Sequence, residues 1–261
     1  MIGEIDAPSG YISRQCCVYV PFLTFVMSVS LVVLHYTLDQ EVYDEMKYGG
    51  FSIETEWYTP FTYTLLHAND PHLYANLTLL VSIGMFYELT EGFWRMLLLW
   101  WISGAAGAAM HSILHPQQYC VGASGVIYGL TCCQISILVL NWSEMPLRWI
   151  RLIYLIFLFL METILYNVSY RPNVSYGAHW GGALSAVLAG LIISVNIRLR
   201  WFEILIHWIC LLCFTGIVGW FYLESLYGPA SLCAVTVPFL LTYTLQTTVG
   251  FRNRFGRPSF S

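Results

Sequence analysis

The chain's 261 residues are 57% hydrophobic and only 10% charged, whereas an ordinary soluble domain is about a quarter charged. That balance excludes a soluble globular domain and describes an all-α polytopic membrane protein. The net charge of −4 gives no reason to expect a nucleic-acid partner. The eight cysteines follow neither a secreted disulfide spacing nor a zinc-module spacing, since Cys132, Cys133, Cys210 and Cys213 sit inside apolar runs.

Residues 1–17 are expected to form a short cytoplasmic N-terminus, acidic and Pro/Gly-bearing, with no Arg-rich presequence and with Cys16 and Cys17 at a juxtamembrane position open to acylation. Val18 to Leu38 is apolar over a length that crosses a ~30 Å hydrocarbon core. The connection from residue 39 to 70 is acidic and rich in aromatics (Tyr43, Trp57, Tyr58, Tyr63 among them), too long for a bare connector, and is placed at the membrane interface. Asp70 as cap with Pro71 behind it predicts a helix start, and span two runs from His72 to about Glu88. Span three covers Phe93 to Leu114 and carries the small-residue patch Gly104-Ala105-Ala106-Gly107-Ala108-Ala109, where another helix can approach closely. Span four covers Ser124 to Leu140, span five Leu147 to Tyr166, span six Gly177 to Ile197, and span seven Phe202 to Leu223. Ser231 to Val249 is a candidate eighth span. Residues 18–197 therefore form a six-span core, and residues 198–261 add one or two spans and an Arg-bearing tail.

Charge placement separates these two versions. With a cytoplasmic N-terminus and eight crossings, nine of the eleven Lys and Arg fall inside, and only Lys47 and Arg171 fall outside. Seven crossings move Arg252, Arg254 and Arg257 outward and leave six against five. The positive-inside rule favours eight.

Under that threading, spans two, four and six all enter from the outer side, and each begins with a polar group: His72, Ser124 and His179. Polar groups gathered at one depth of a membrane are a functional hypothesis. Ser124 lies in Gly122-Ala123-Ser124-Gly125. Glycine neighbours leave room for a substrate backbone, and first-turn N–H groups can hold a developing negative charge. The tetrapeptide by itself also suits close helix packing, so a serine nucleophile requires a base within reach. His179, in Gly177-Ala178-His179-Trp180-Gly181-Gly182, is the candidate. Ala178, Gly182, Ala186 and Gly190 repeat every fourth residue, as Gly125 and Gly129 do on span four, so the two helices can come together. Tyr128 lies one turn from Ser124, where its ring can stack on the imidazole. His72 and Asn76 share a helix face at i,i+4 and offer side-chain donors for an oxyanion. No acid is placed to orient His179, so the expected unit is a Ser124–His179 dyad. No H-E-x-x-H motif is present. The remaining histidines lack ligand-spaced partners, so neither metal nor cofactor is expected. His35 and His207 read as interfacial or packed.

His67 with His72-x-x-x-Asn76, Gly122-x-Ser124-Gly125 with Tyr128, and Gly177-Ala178-His179-x-x-Gly182, in three successive even-numbered spans, resemble the rhomboid family of intramembrane serine proteases. The likeness covers about residues 56–197, and the span after the core is similar to the eukaryotic secretory-pathway branch. It implies Ser124 as nucleophile, His179 as base, and His72, Asn76 and the Ser124 backbone as oxyanion hole. His67, Tyr128, Gly122, Gly125 and Gly182 support them, and Glu88 matches an acid on the inner side of span two. It also implies cleavage of single-pass membrane substrates near their extracytoplasmic end, in the secretory pathway or plasma membrane. The family's Trp-Arg pair in the first loop falls here on Tyr58-Thr59, which has no arginine. Two other readings carry different expectations. A silent client-binding protein of the same fold would not need Ser124 and His179, and a transporter would show inverted repeats that this chain lacks.

Overall fold

The computed structural model describes residues 20–50, 53, 56–168, 174–196 and 201–227. The elements are α1 (Phe22–Thr37), α2 (Gln40–Met46), β1 (Tyr48–Gly49), α3 (Thr59–Thr62) running into a 3-10 turn (Tyr63–Leu65), α4 (Asp70–Leu79), a π turn (Leu80–Gly84), α5 (Met85–Glu91), α6 (Phe93–Leu114), β2 (Tyr119–Cys120), α7 (Ser124–Leu140), α8 (Arg148–Val168), α9 (Tyr176–Ile193) and α10 (Trp201–Tyr227). Three of these stretches, Asp70–Glu91, Phe93–Leu114 and Tyr176–Ile193, are long and apolar enough to cross a membrane, while Phe22–Thr37, Ser124–Leu140 and Phe202–Gly216 are apolar and shorter. The protein is an all-α membrane protein, as its composition predicts. The candidate eighth span, the first 17 residues with Cys16 and Cys17, and the Arg-bearing tail lie outside the described residues.

Helix starts and stops follow local chemistry. The cap of α4 is one residue earlier than the sequence suggested: Asn69, not Asp70, accepts the His72 N–H, at 3.0 Å. Asp70 is thereby free to face α1, where its carboxylate meets His35 Nε2 at 2.9 Å. Gly92, at φ +92°, separates α5 from α6 in a conformation open to glycine at little cost. At the start of α1, Glu88 of α5 accepts the N–H groups of Leu23 and Thr24 at 2.7 and 2.8 Å and the Thr24 hydroxyl at 2.8 Å. A helix's first N–H groups have no partners of their own, so this buried carboxylate caps α1 from another helix.

α9 lies between α6 and α7, and small residues set its depth. On one side a Cβ at Gly181 would strike the carbonyl of Ala106, and on the other a Cβ at Gly182 would strike that of Gly125. Lipid tails are as apolar as leucine, so close van der Waals contact, not water exclusion, holds such helices together. Larger side chains fill the core around them, with Leu73, Leu80, Met96, Leu99, Trp100 and Leu130 fully buried. α8 instead exposes Trp149, Ile150, Ile153, Ile156 and Phe157, a surface suited to hydrocarbon. At the end far from Ser124, Arg95 Nε donates to the Ile193 carbonyl at 2.7 Å, Glu91 accepts the Val195 N–H at 2.8 Å, and Asn141 donates to the Val195 carbonyl at 2.7 Å. These bonds tie the C-terminus of α9 to α5, α6 and α7.

The first loop adds a feature not read from the sequence. β1 and β2 pair antiparallel, Tyr48 with Cys120 and Gly49 with Tyr119, so the loop is joined to the segment leading into α7. The loop holds without a Trp-Arg pair. Thr59 is buried and donates to the Glu56 carbonyl at 2.8 Å, and Thr62 donates to the Met46 carbonyl at 2.9 Å. Tyr63, fully buried, donates its hydroxyl to the Gly104 carbonyl at 2.9 Å.

Candidate active site

Ser124 is the first residue of α7 and His179 lies in the first turn of α9. His179 Nε2 is 2.9 Å from Ser124 Oγ. Backbone packing makes this separation possible, because Gly125 and Gly182 let the two helices meet within a turn of both side chains. A hydroxyl that donates to Nε2 requires the proton of a neutral imidazole to be on Nδ1, and His179 Nδ1 is buried with no hydrogen-bonding partner among the described residues. The ring is held by aromatic contact instead. Tyr128 stacks on it at 4.1 Å and 11°, and Tyr176 meets it edge-on at 6.0 Å and 80°.

Gly122 places the third group. Its φ is +127°, and a Cβ built there would lie 2.7 Å from His72 Cε1, 3.0 Å from His72 Nε2 and 3.7 Å from Ser124 Oγ. The His72 ring and the Ser124 hydroxyl thus border one small space that a methyl group would fill. The turn is fixed by the Gly122 N–H, which donates to the Tyr63 carbonyl at 2.9 Å. Asn76 is buried on the same helix face as His72, and its Nδ2 donates to the His72 carbonyl at 3.0 Å. An amide has two N–H groups, so the second is not committed to that bond. His67 does not reach Ser124. It is a buried ring 5.2 Å from that of His72, edge to face. Burial, reinforced by His72 and His35, pushes its pKa down to about 3, so it packs against His72 as a neutral ring. Among the described residues no three His, Cys, Asp or Glu side chains gather in a metal-binding arrangement.

Known sequences resemble the segment that carries these residues. Residues 54–196, more than half the chain, match the family model described as a rhomboid domain. The chain belongs to the rhomboid family. The matched segment contains every group of the site, from His67 to His179. Relatives include Rhomboid-related protein 1 of Caenorhabditis elegans, 30% identical over 59% of this chain and 45% of that protein. RHOMBOID-like protein 1 of Arabidopsis thaliana is 34% identical over 55% of this chain and 36% of its own length. Human Rhomboid-related protein 3 is 25% identical over 82% of this chain and 58% of its own. The chain thus spans less than half the length of the first two.

Several supports of this rhomboid site were missed in the sequence. Ser175 caps α9 by accepting the Ala178 N–H at 3.2 Å. A serine just ahead of an apolar run is a recognised helix-start signal, so this one was available to sequence reasoning. The Tyr63–Gly122 and His111–Ser175 contacts, between residues 59 and 64 positions apart, had no such signal.

Proposed function

We propose that this rhomboid is an intramembrane serine endopeptidase that cuts single-pass transmembrane proteins near their extracytoplasmic end. The observation that carries the reading is the 2.9 Å contact between His179 Nε2 and Ser124 Oγ. As Oγ attacks the scissile carbonyl carbon, its proton passes to Nε2, and the carbonyl oxygen becomes an oxyanion. The Ser124 N–H, the His72 ring and the second Asn76 N–H are the donors proposed to receive it. The imidazolium then gives its proton to the leaving amide nitrogen, and the C–N bond breaks to leave an acyl ester on Ser124. Water attacks that ester while His179 takes its proton. Collapse returns the proton to Oγ and releases the new carboxylic acid, which then loses its own proton to water.

A helical substrate shields its own peptide bonds, so cleavage requires local unwinding and access of water. The polar starts of α4, α7 and α9 supply a wet end for both, proposed to face the lumen or exterior in the secretory pathway or plasma membrane. The test is cleavage of a tagged single-pass reporter by the full chain, compared with Ser124→Ala and His179→Ala. Product from the wild type alone, with fluorophosphonate labelling of Ser124, supports the reading. Equal patterns from all three, with no labelling, overturn it in favour of a silent client-binding protein.

A further inference from the structure

His111, near the C-terminal end of α6, is a buried histidine outside the catalytic groups. Both ring nitrogens are engaged: Nε2 lies 2.8 Å from the Gln118 carbonyl oxygen and Nδ1 lies 2.6 Å from Ser175 Oγ. A carbonyl oxygen only accepts, so Nε2 carries the proton and the neutral ring offers Nδ1 as acceptor. The Ser175 hydroxyl therefore donates to His111, which turns its lone pairs toward the Ala178 N–H, 3.2 Å away. The Cys120 thiol lies near Ser175, and burial pushes its pKa up to about 12. It stays a protonated, weakly bonding group, and the imidazole remains the strong acceptor.

Ser175 holds the first turn of α9 at two successive amides. Its side chain takes the Ala178 N–H, and its backbone carbonyl takes the His179 N–H at 3.3 Å. Backbone packing closes the same turn onto His111, since a Cβ at Gly177 would lie 3.0 Å from His111 Cα. The other end of the relay is anchored as well, because the Gln118 carbonyl also accepts the Gly50 N–H at 3.1 Å. Among the described residues His179 Nδ1 has no hydrogen-bonding partner, and the ring is placed by this turn and by the two tyrosines. We propose that His111 is a positioning residue for the base: by accepting the Ser175 proton it orients the cap of α9 and so sets His179 against Ser124. The proposal rests on the protease reading above.

The experiment measures kcat and KM separately for the full chain in liposomes with a single-pass reporter. The variants are His111→Ala, Ser175→Ala, the double variant, and His111→Ala combined with Ser175→Asp. A small misplacement of a catalytic group costs up to about a hundredfold. His111→Ala is expected to lower kcat by roughly tenfold or more with KM little changed. The double alanine variant should lose no more than Ser175→Ala alone. Ser175→Asp should restore most of kcat, because a carboxylate caps a helix without needing an acceptor for its own proton. Should His111→Ala not fold, His111→Asn, which keeps an acceptor near Nδ1, is expected to exceed His111→Leu in kcat. An active wild type with His111→Ala unchanged in kcat, additive losses, or no recovery with Ser175→Asp overturns this proposal alone. A wild type that neither cleaves nor labels overturns the protease reading and this one together.

Discussion

The carbonyl oxygen of Gly125 occupies the space that a Cβ on Gly182 would take, and Gly125 in turn has the Ala178 carbonyl 2.9 Å from its own Cβ position. Two helix backbones are thus in direct contact one turn from Ser124 and His179. Gly182→Ala is expected to part α7 from α9 and lengthen the 2.9 Å dyad contact. Labelling by a fluorophosphonate should slow by about tenfold or more while the variant still inserts in membranes. Undiminished labelling would show that the dyad does not depend on this approach.

Gly122→Ala should be more severe. The new methyl would meet the His72 ring at 2.7 Å on a backbone at φ +127°, a conformation that costs an alanine free energy even in open space. If the space between His72 and Ser124 receives the oxyanion, kcat should fall by roughly 10²–10³, as for loss of an oxyanion donor. Steady-state cleavage with KM determined separately is the check.

The stack of Tyr128 on His179 leads to a graded series. An aromatic pair contributes about 0.5–1.5 kcal/mol beyond its buried area, which bounds the effect on a ring it holds at roughly tenfold. Tyr128→Leu should lower kcat by up to that amount, and Tyr128→Phe, which keeps the stack, by less. The comparison of the two variants in one cleavage assay decides it.

Glu88 is expected to matter for stability and not for chemistry. Glu88→Ala leaves the Leu23 and Thr24 N–H groups without their acceptor, at roughly 1–3 kcal/mol per buried donor. The unfolding midpoint in detergent should drop. Well below that midpoint kcat should be unchanged, since the carboxylate is twelve residues beyond Asn76, about 18 Å along the helix.

His67 gives a pH dependence with a defined sign. Its pKa is about 3 in the folded chain against an ordinary 6.5, so between those values the unfolded chain binds a proton that the folded chain does not. Stability from this residue is complete above pH 6.5 and falls as the pH drops toward 3, by about 1.4 kcal/mol per pH unit. Unfolding midpoints measured across pH 4–7 should slope less in His67→Gln than in the wild type. Parallel curves would refute the assignment.

The sequence by itself determined what depends on composition and short spacing. Apolar runs of membrane length, the fourfold repeat of small residues from Ala178 to Gly190, the Ser124 and His179 motifs and the i,i+4 pair of His72 and Asn76 are all local. Each follows from helical periodicity or from the cost of placing polar groups in lipid. Tertiary structure decided what depends on groups distant in the chain. The cap of α4 fell on Asn69, and Asp70, left free, found a partner in His35 on another helix. Glu88 became the cap of α1, and Thr59, Thr62 and the β1–β2 pair anchored a first loop that lacks the family's arginine. The orientation of His179 passed to two tyrosines and a cap backed by His111. Buried polar groups must find partners wherever the fold brings them. Which partner each one finds is a property of the packed helices, and no periodicity within a single helix contains it.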